Sequence, residues 1–168
     1  MPPGAAQRAS DAPGSGTPDA TGTTPAGFPD IASVVERVAP AVVQIIATIQ
    51  EQNRFGRSVD ATSQGSGVFF RSDGYVLTNN HVVEDATSVR VVLSSLERVD
   101  AEVIGTDPNT DIALLKVEAP SALPFVSFGD SNAARVGDWV LAMGSPFGLD
   151  QTVTAGIVSA KGRANVGI

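Results

Sequence analysis

Apolar positions first take up a regular spacing at Ile31, Val34, Val35 and Val38, the i, i+3, i+4, i+7 pattern of one helix face. Asp30 stands at the N-cap position and Pro40 stops the pattern, so a short amphipathic helix is expected between them. Beyond Pro40 the period shortens. β-Branched and aromatic runs over 41–49, 67–70, 75–78, 88–93, 101–106 and 112–117 predict six strands, and six strands suggest a barrel. Asp73-Gly74, lying between Phe69-Phe70 and Tyr75-Val76-Leu77, predicts a hairpin with both turn residues at positive φ. A second group begins near Val136. Residues 139–143 and 151–160 read as strands joined by Gly144-Ser145-Pro146-Phe147-Gly148-Leu149. This group is expected to be the opening of an interrupted sheet, with Val140, Leu141, Val153, Ile157 and Val158 short of partners, since two strands alone do not make a stable unit. Before Asp30 the chain is almost entirely Pro, Gly, Ala, Ser, Thr and Asp, too little apolar surface to offset ordering entropy. The expected organisation is a disordered leader at 1–29, a first β-barrel at 30–130, and a linker with the first strands of an incomplete second barrel at 131–168.

Composition narrows the functions. In 168 residues there are 18 acidic and 11 basic side chains, a formal charge of −7. That balance argues against nucleic acid as a partner, because binding a phosphate backbone depends on clustered Lys and Arg. The absence of cysteine excludes disulfides, a thiol nucleophile and a cysteine metal site. The longest apolar stretch, 39–49, is interrupted by Pro40, Gln44 and Thr48 and falls short of the roughly 18 apolar residues of a membrane span. No secretory signal, with a charged start and an apolar core, is visible in the first 27 residues. There is no Gly-x-Gly-x-x-Gly between a strand and a helix, and Glu84 with Asp85 gives only a local acidic pair near one histidine. Neither a nucleotide cofactor nor a metal is expected.

His81 is the only histidine, so any imidazole base must be this one. It follows the 75–78 strand through Asn79-Asn80 and precedes Val82-Val83. A strand end beside packed apolar residues suits a catalytic base; the competing reading, the commoner one for a lone histidine without context, is a surface or hydrogen-bonded structural histidine. Asp111 opens the apolar run Ile112-Ala113-Leu114-Leu115, where a carboxylate must find a donor. An imidazole N–H is one such donor, and the carboxylate would in return fix the ring's tautomer. The competing reading makes Asp111 a turn or cap residue of Asp107-Pro108-Asn109-Thr110, a role that Asp107 fits better.

With these residues in place the sequence resembles the Deg/HtrA family of trypsin-like serine endoproteases. The resemblance runs from Ile31 to about Arg163 and rests on five blocks in family order: Gly65-Ser66-Gly67-Val68-Phe69-Phe70, Leu77-Thr78-Asn79-Asn80-His81-Val82-Val83, Thr110-Asp111-Ile112-Ala113-Leu114-Leu115-Lys116-Val117, Gly144-Ser145-Pro146-Phe147-Gly148-Leu149, and Gln151-Thr152-Val153-Thr154-Ala155-Gly156-Ile157-Val158-Ser159-Ala160. It implies an all-β, trypsin-like double β-barrel with the active site between barrels, His81 as general base and Asp111 as its orienting carboxylate. It also implies unfolded or damaged proteins and peptides as substrates, a periplasmic or otherwise exported location, a homotrimer in the intact family, and PDZ domains often following the protease. The family's nucleophile lies in a Gly-Asn-Ser-Gly-Gly motif, which does not occur in these residues. The expectation is therefore two triad members without the serine, its oxyanion-hole neighbours or the specificity pocket, and no peptidase activity from this stretch alone.

Three serines are candidate substitutes. Ser131, in Gly129-Asp130-Ser131-Asn132, is followed by Asn and Ala instead of the two glycines a trypsin-type serine needs, and reads as a linker turn. Ser66 between two glycines reads as a tight strand entry, and Ser145 before Pro146 has the same standing. Trp139 reads as a core aromatic at the start of the second barrel. A non-catalytic, chaperone-like binding protein and a decayed gene product are the alternative functions.

Overall fold

In strand β1 (Val42–Gln52) the side chains of Val43, Ile45 and Ala47 are buried while every second residue points the other way, the two-residue period of a half-buried strand. The computed structural model describes residues 29–52, 57–119, 121–145 and 151–162; the expected leader at 1–29 lies almost wholly outside them. Helix α1 (Ile31–Val38) precedes β1, with Asp30 Oδ1 accepting the Ser33 N–H at 3.1 Å as its N-cap and a 3₁₀ turn at Ala39–Ala41 leading out of it. Then follow β2 (Ser58–Phe69), β3 (Tyr75–Thr78), the single helical turn α2 (Asn80–Val83), β4 (Ala86–Val92), β5 (Arg98–Asp107) and β6 (Ile112–Val117).

These six strands close into a barrel of order β1-β2-β3-β6-β5-β4, every neighbouring pair antiparallel. Its interior is filled by Val43, Ile45, Phe69, Val76, Val91, Leu115 and Val117, all at or below 1% exposure. Closure gives each of the six strands a partner on both sides over part of its length. After β6 the chain turns back over the barrel, where Leu123 N–H donates to Ser72 O at 2.9 Å and Val126 N–H to Phe69 O at 3.0 Å.

Three local features differ from expectation. β2 begins nine residues before Gly67, because the Ser58–Gln64 portion is polar and exposed and is held by backbone pairing to β1 rather than by an apolar face. His81 sits on the helical turn α2 and not at a strand end. The β2–β3 connection is not a two-residue turn. Gly74 alone has positive φ (+96°), Gly74 N–H donates to Arg71 O at 3.3 Å, and Phe70 N–H reaches Tyr75 O across a four-residue loop. A Cβ on Gly74 would lie 2.1 Å from Val117 O, so the turn requires glycine twice over: for φ and for the approach of β6.

The second group forms a two-stranded antiparallel sheet, β7 (Trp139–Gly144) with β8 (Thr152–Ile157), shorter at its far end than the expected 151–160. Trp139 is 51% exposed, not a core aromatic. It lines a cavity of about 330 Å³ with Ile31, Val34, Val38 and Leu141, between α1 and β7.

Candidate active site

The site is built where β3 and β6 lie side by side. Thr78 ends β3 opposite Ala113 of β6, and this register brings the residues just beyond Thr78 against the residue just before Ile112. Asn80 N–H donates to Asp111 O at 3.2 Å and Asn79 Nδ2 donates to the same carbonyl at 3.2 Å. Asp111 accepts these bonds at φ +54°, a left-handed conformation that Asp tolerates better than most residues.

Asp107 sets up that conformation. Its carboxylate accepts the Asn109 N–H at 3.0 Å and the Thr110 hydroxyl at 2.7 Å. The Thr110 hydroxyl foremost, with the Asn109 N–H, holds the Asp107 carboxyl below the usual range. The turn role therefore falls to Asp107, and Asp111 is freed to face α2.

The Asp111 carboxylate receives three donors. His81 N–H reaches Oδ1 at 3.0 Å, Asn79 Nδ2 reaches Oδ2 at 3.0 Å, and His81 Nδ1 lies 2.8 Å from Oδ2 and 3.0 Å from Oδ1. The His81 main-chain N–H is the largest cause holding the Asp111 carboxyl below its ordinary value, ahead of the His81 ring and Asn79. An ionised carboxylate can only accept, so Nδ1 carries a proton, and in the neutral ring Nε2 is the atom with the lone pair. The side chains are 67% exposed for His81 and 44% for Asp111. An oriented imidazole with a free Nε2, open to solvent, can take a proton from a group brought to it and return it.

α2 is seated on β2 by Gly65: a Cβ there would come within 2.4 Å of Val82 Cγ2. Val82 and Val83 are buried under the turn, which turns His81 outward. The other serines have structural positions. Asp130 and Ser131 belong to a turn in which Asn132 N–H donates to Asp130 Oδ1 at 2.9 Å and Ala133 N–H to Asp130 O at 3.1 Å. Ser66 Oγ accepts the Ser145 N–H at 2.8 Å. Glu84 caps the end of α2 through its own N–H, donated to Asn80 O at 2.9 Å. Asn79, which holds both the carbonyl and the carboxylate of Asp111, stands in the sequence as a connector between β3 and His81. The only hint was an amide placed between an apolar strand and the single histidine.

The chain is similar to known peptidases over most of its length. The family model "Trypsin-like peptidase domain" matches residues 65–167. The chain is 47% identical over 169 aligned positions to a protein named "Probable periplasmic serine endoprotease DegP-like" of Pseudomonas putida (strain GB-1), covering 81% of this chain and 35% of that protein. A protein of the same name from Bartonella henselae is 59% identical over 99 positions, 59% of this chain and 20% of its own length. Among solved structures, "HtrA-type protease AlgWS227A with decapeptide" superposes with a TM-score of 0.76 at 37% identity, covering 82% of this chain and 47% of that one. "HtrA-type protease AlgW with tripeptide" gives 0.73 at 41% identity, covering 83% and 43%. The chain thus spans about a third of the length of the curated relatives it matches at greatest extent, 35% in the first case.

Proposed function

The chain belongs to the Deg/HtrA family of trypsin-like serine endoproteases, and from that premise we propose that it supplies the base half of a Ser-His-Asp triad. His81 is the general base and Asp111 its orienting carboxylate, within a first barrel at 30–130. Residues 131–168 are the linker and opening strands of a second barrel. The nucleophilic serine is contributed from outside these 168 residues, which contain no Gly-Asn-Ser-Gly-Gly stretch. Its hydroxyl attacks the scissile carbonyl as His81 Nε2 takes the proton, and the same nitrogen then returns that proton to the leaving amine. Asp111 stays ionised throughout, stabilises the imidazolium formed in between, and keeps Nδ1 protonated so that Nε2 is the basic atom.

The substrates are peptides and unfolded or damaged proteins in the periplasm, and the working assembly is a trimer. The substrate reading is supported by relatives whose names describe periplasmic endoproteases and by related structures described with a decapeptide and a tripeptide. The observation that carries the proposal is the 2.8 Å contact of His81 Nδ1 with an Asp111 carboxylate already held by two further N–H donors.

Casein cleavage tests it, first with residues 1–168 alone and then with the natural protein that carries them together with the nucleophile. The 168 residues alone are expected to be inactive. In the natural protein His81→Ala should abolish turnover, and Asp111→Asn should lower kcat by about 10⁴-fold, because an amide can present its NH₂ to Nδ1 and hold the wrong tautomer. Undiminished cleavage by His81→Ala, or cleavage by the isolated 168 residues, would overturn the assignment.

A further inference from the structure

The triplet Gly65-Ser66-Gly67 is unused by the triad, yet three of its groups meet the segment that carries His81. Gly65 leaves room for Val82, the residue after His81. Ser66 O accepts the hydroxyl proton of Thr78, a residue only 7% exposed, at 2.8 Å. Gly67 is the register partner of Thr78. The segment 78–82 is thus gripped from below at both ends. Thr78 then leads directly to Asn79, whose side chain holds Asp111.

Ser66 has a second attachment. Its Oγ accepts the N–H of Ser145 at 2.8 Å, and Ser145, at the exit of β7, is 8% exposed. A nearly buried main-chain N–H is costly to leave without an acceptor, so the position of β7 and the position of Ser66 depend on one another. One residue therefore bonds the β7–β8 sheet through its hydroxyl and the His81 segment through its carbonyl.

We infer that Ser66 is a positioning residue that couples the seating of β7–β8 on the barrel to the alignment of the His81–Asp111 pair. The contacts are Ser145 N–H to Ser66 Oγ, Thr78 Oγ to Ser66 O, Asn79 Nδ2 to Asp111, and Asp111 to His81 Nδ1, the first two joined through Ser66 itself and the next through the Thr78–Asn79 peptide bond. The inference rests on the triad reading for its catalytic meaning. In that reading the base is held in its working tautomer only when the sheet that opens the second barrel is in place, so the two halves of the site are aligned by the same contact that joins them.

The only histidine makes the test direct. In the 168-residue chain, ¹⁵N shifts of the His81 ring, read through its carbon-bound protons at a pH where the ring is neutral, give the ratio of the Nδ1–H to the Nε2–H form. Wild type is expected to hold Nδ1–H. Ser66→Ala removes the acceptor for Ser145, Ser145→Pro removes the donor without altering any barrel residue, and Thr78→Val removes the hydroxyl under the segment. Each should shift the ratio toward Nε2–H by about five-fold, the scale of one neutral hydrogen bond, and Thr78→Ser should restore it.

Should Ser66→Ala fail to fold, Ser145→Pro decides, because the barrel is intact in it. An unchanged ratio in Ser145→Pro overturns the coupling, and so does a shift confined to Thr78→Val. A global loss of stability without a link to the dyad would lower the melting temperature and leave the ratio at its wild-type value. The measurement needs no turnover, whereas failure of the triad reading shows separately, as cleavage that survives His81→Ala.

Discussion

Asp111 shows how much a single side chain can organise. Its main-chain carbonyl gathers Asn79 and Asn80, and its carboxylate gathers Asn79 and His81. The carboxyl is held below its ordinary value chiefly by the His81 main-chain N–H. The sign of the resulting pH dependence follows from linkage: a depressed carboxylate binds its proton more weakly in the folded chain than in the unfolded one. Its stabilising effect is therefore complete above the unfolded pKa, about 3.9 for Asp, and is lost as pH falls through the lower folded value. Asp30, Asp73, Asp107 and Asp138 are lowered in the same way, by Ser33, Arg71, Thr110 and Arg135 respectively. Acid should thus weaken the fold in the window below about pH 4, and the contact between Asp111 and the His81 ring should persist down to that window. A carboxyl ¹³C titration of Asp111 checks this. The midpoint is expected below that of an unstructured Asp, and to rise in Asn79→Ala; a midpoint at or above the unstructured value would show that the donors do not hold the carboxylate. His81 and Asp111 were legible in the sequence, one as the only imidazole and the other as a charge opening an apolar run. Asn79 was not, because what it bonds is 32 residues further along the chain, and nothing local marks it.

At the scale of elements, the legible strands were those with a buried face. β1, β3, β4 and β6 place Val43, Val76, Val91 and Leu115 in the barrel, and their two-residue period is visible in the sequence. The first half of β2 was not legible: its alternating residues are exposed, and its place comes from the β1 ladder that pairs Ile46 with Gln64 and Gln52 with Ser58. α2 was missed because four residues are too short for a helical period. The hairpin at Asp73-Gly74 was legible as a reversal and not as a turn type, since its geometry is set by β6, whose Val117 N–H donates to Gly74 O at 2.9 Å. That contact yields a prediction. Gly74→Ala would place a Cβ 2.1 Å from Val117 O at φ +96°, so it should destabilise the barrel by at least about 1–2 kcal/mol. Gly105→Ala, at the irregularity between β5 and β6 with nothing within 4 Å of the added Cβ, should be nearly neutral. Urea midpoints of the two variants compare them. Equal midpoints would mean that the β2–β3 loop relaxes without loss.

For the whole molecule, the contrast lies between a closed sheet and an open one. The barrel has a continuous ladder and a filled interior, whereas β7–β8 is a two-stranded sheet with Val140 and Ile157 at 42% and 52% exposure. A pair of strands is marginal by itself, so its order must come from what it leans on. Among the described residues it leans on the apolar cavity lining shared with α1, on the Ser145 to Ser66 bond, and on Gln151, whose Nε2 donates to Ala39 O and to Val42 O. The barrel was legible from its six runs. The seating of the second sheet was not, because its ties join residues about 80 to 110 positions apart through polar atoms that carry no pattern in the sequence. Local stability should follow this division. In native-state hydrogen exchange, amides of β7 and β8 are expected to exchange at least about tenfold faster than those of β1, β3 and β6. Gln151→Ala, which deletes one attachment and leaves the barrel interior alone, should widen the gap from the β7–β8 side only. Equal protection in both sheets would mean that they open as one cooperative unit. The docking contacts would then be as strong as the barrel's own ladder, and Gln151→Ala would have to speed exchange everywhere.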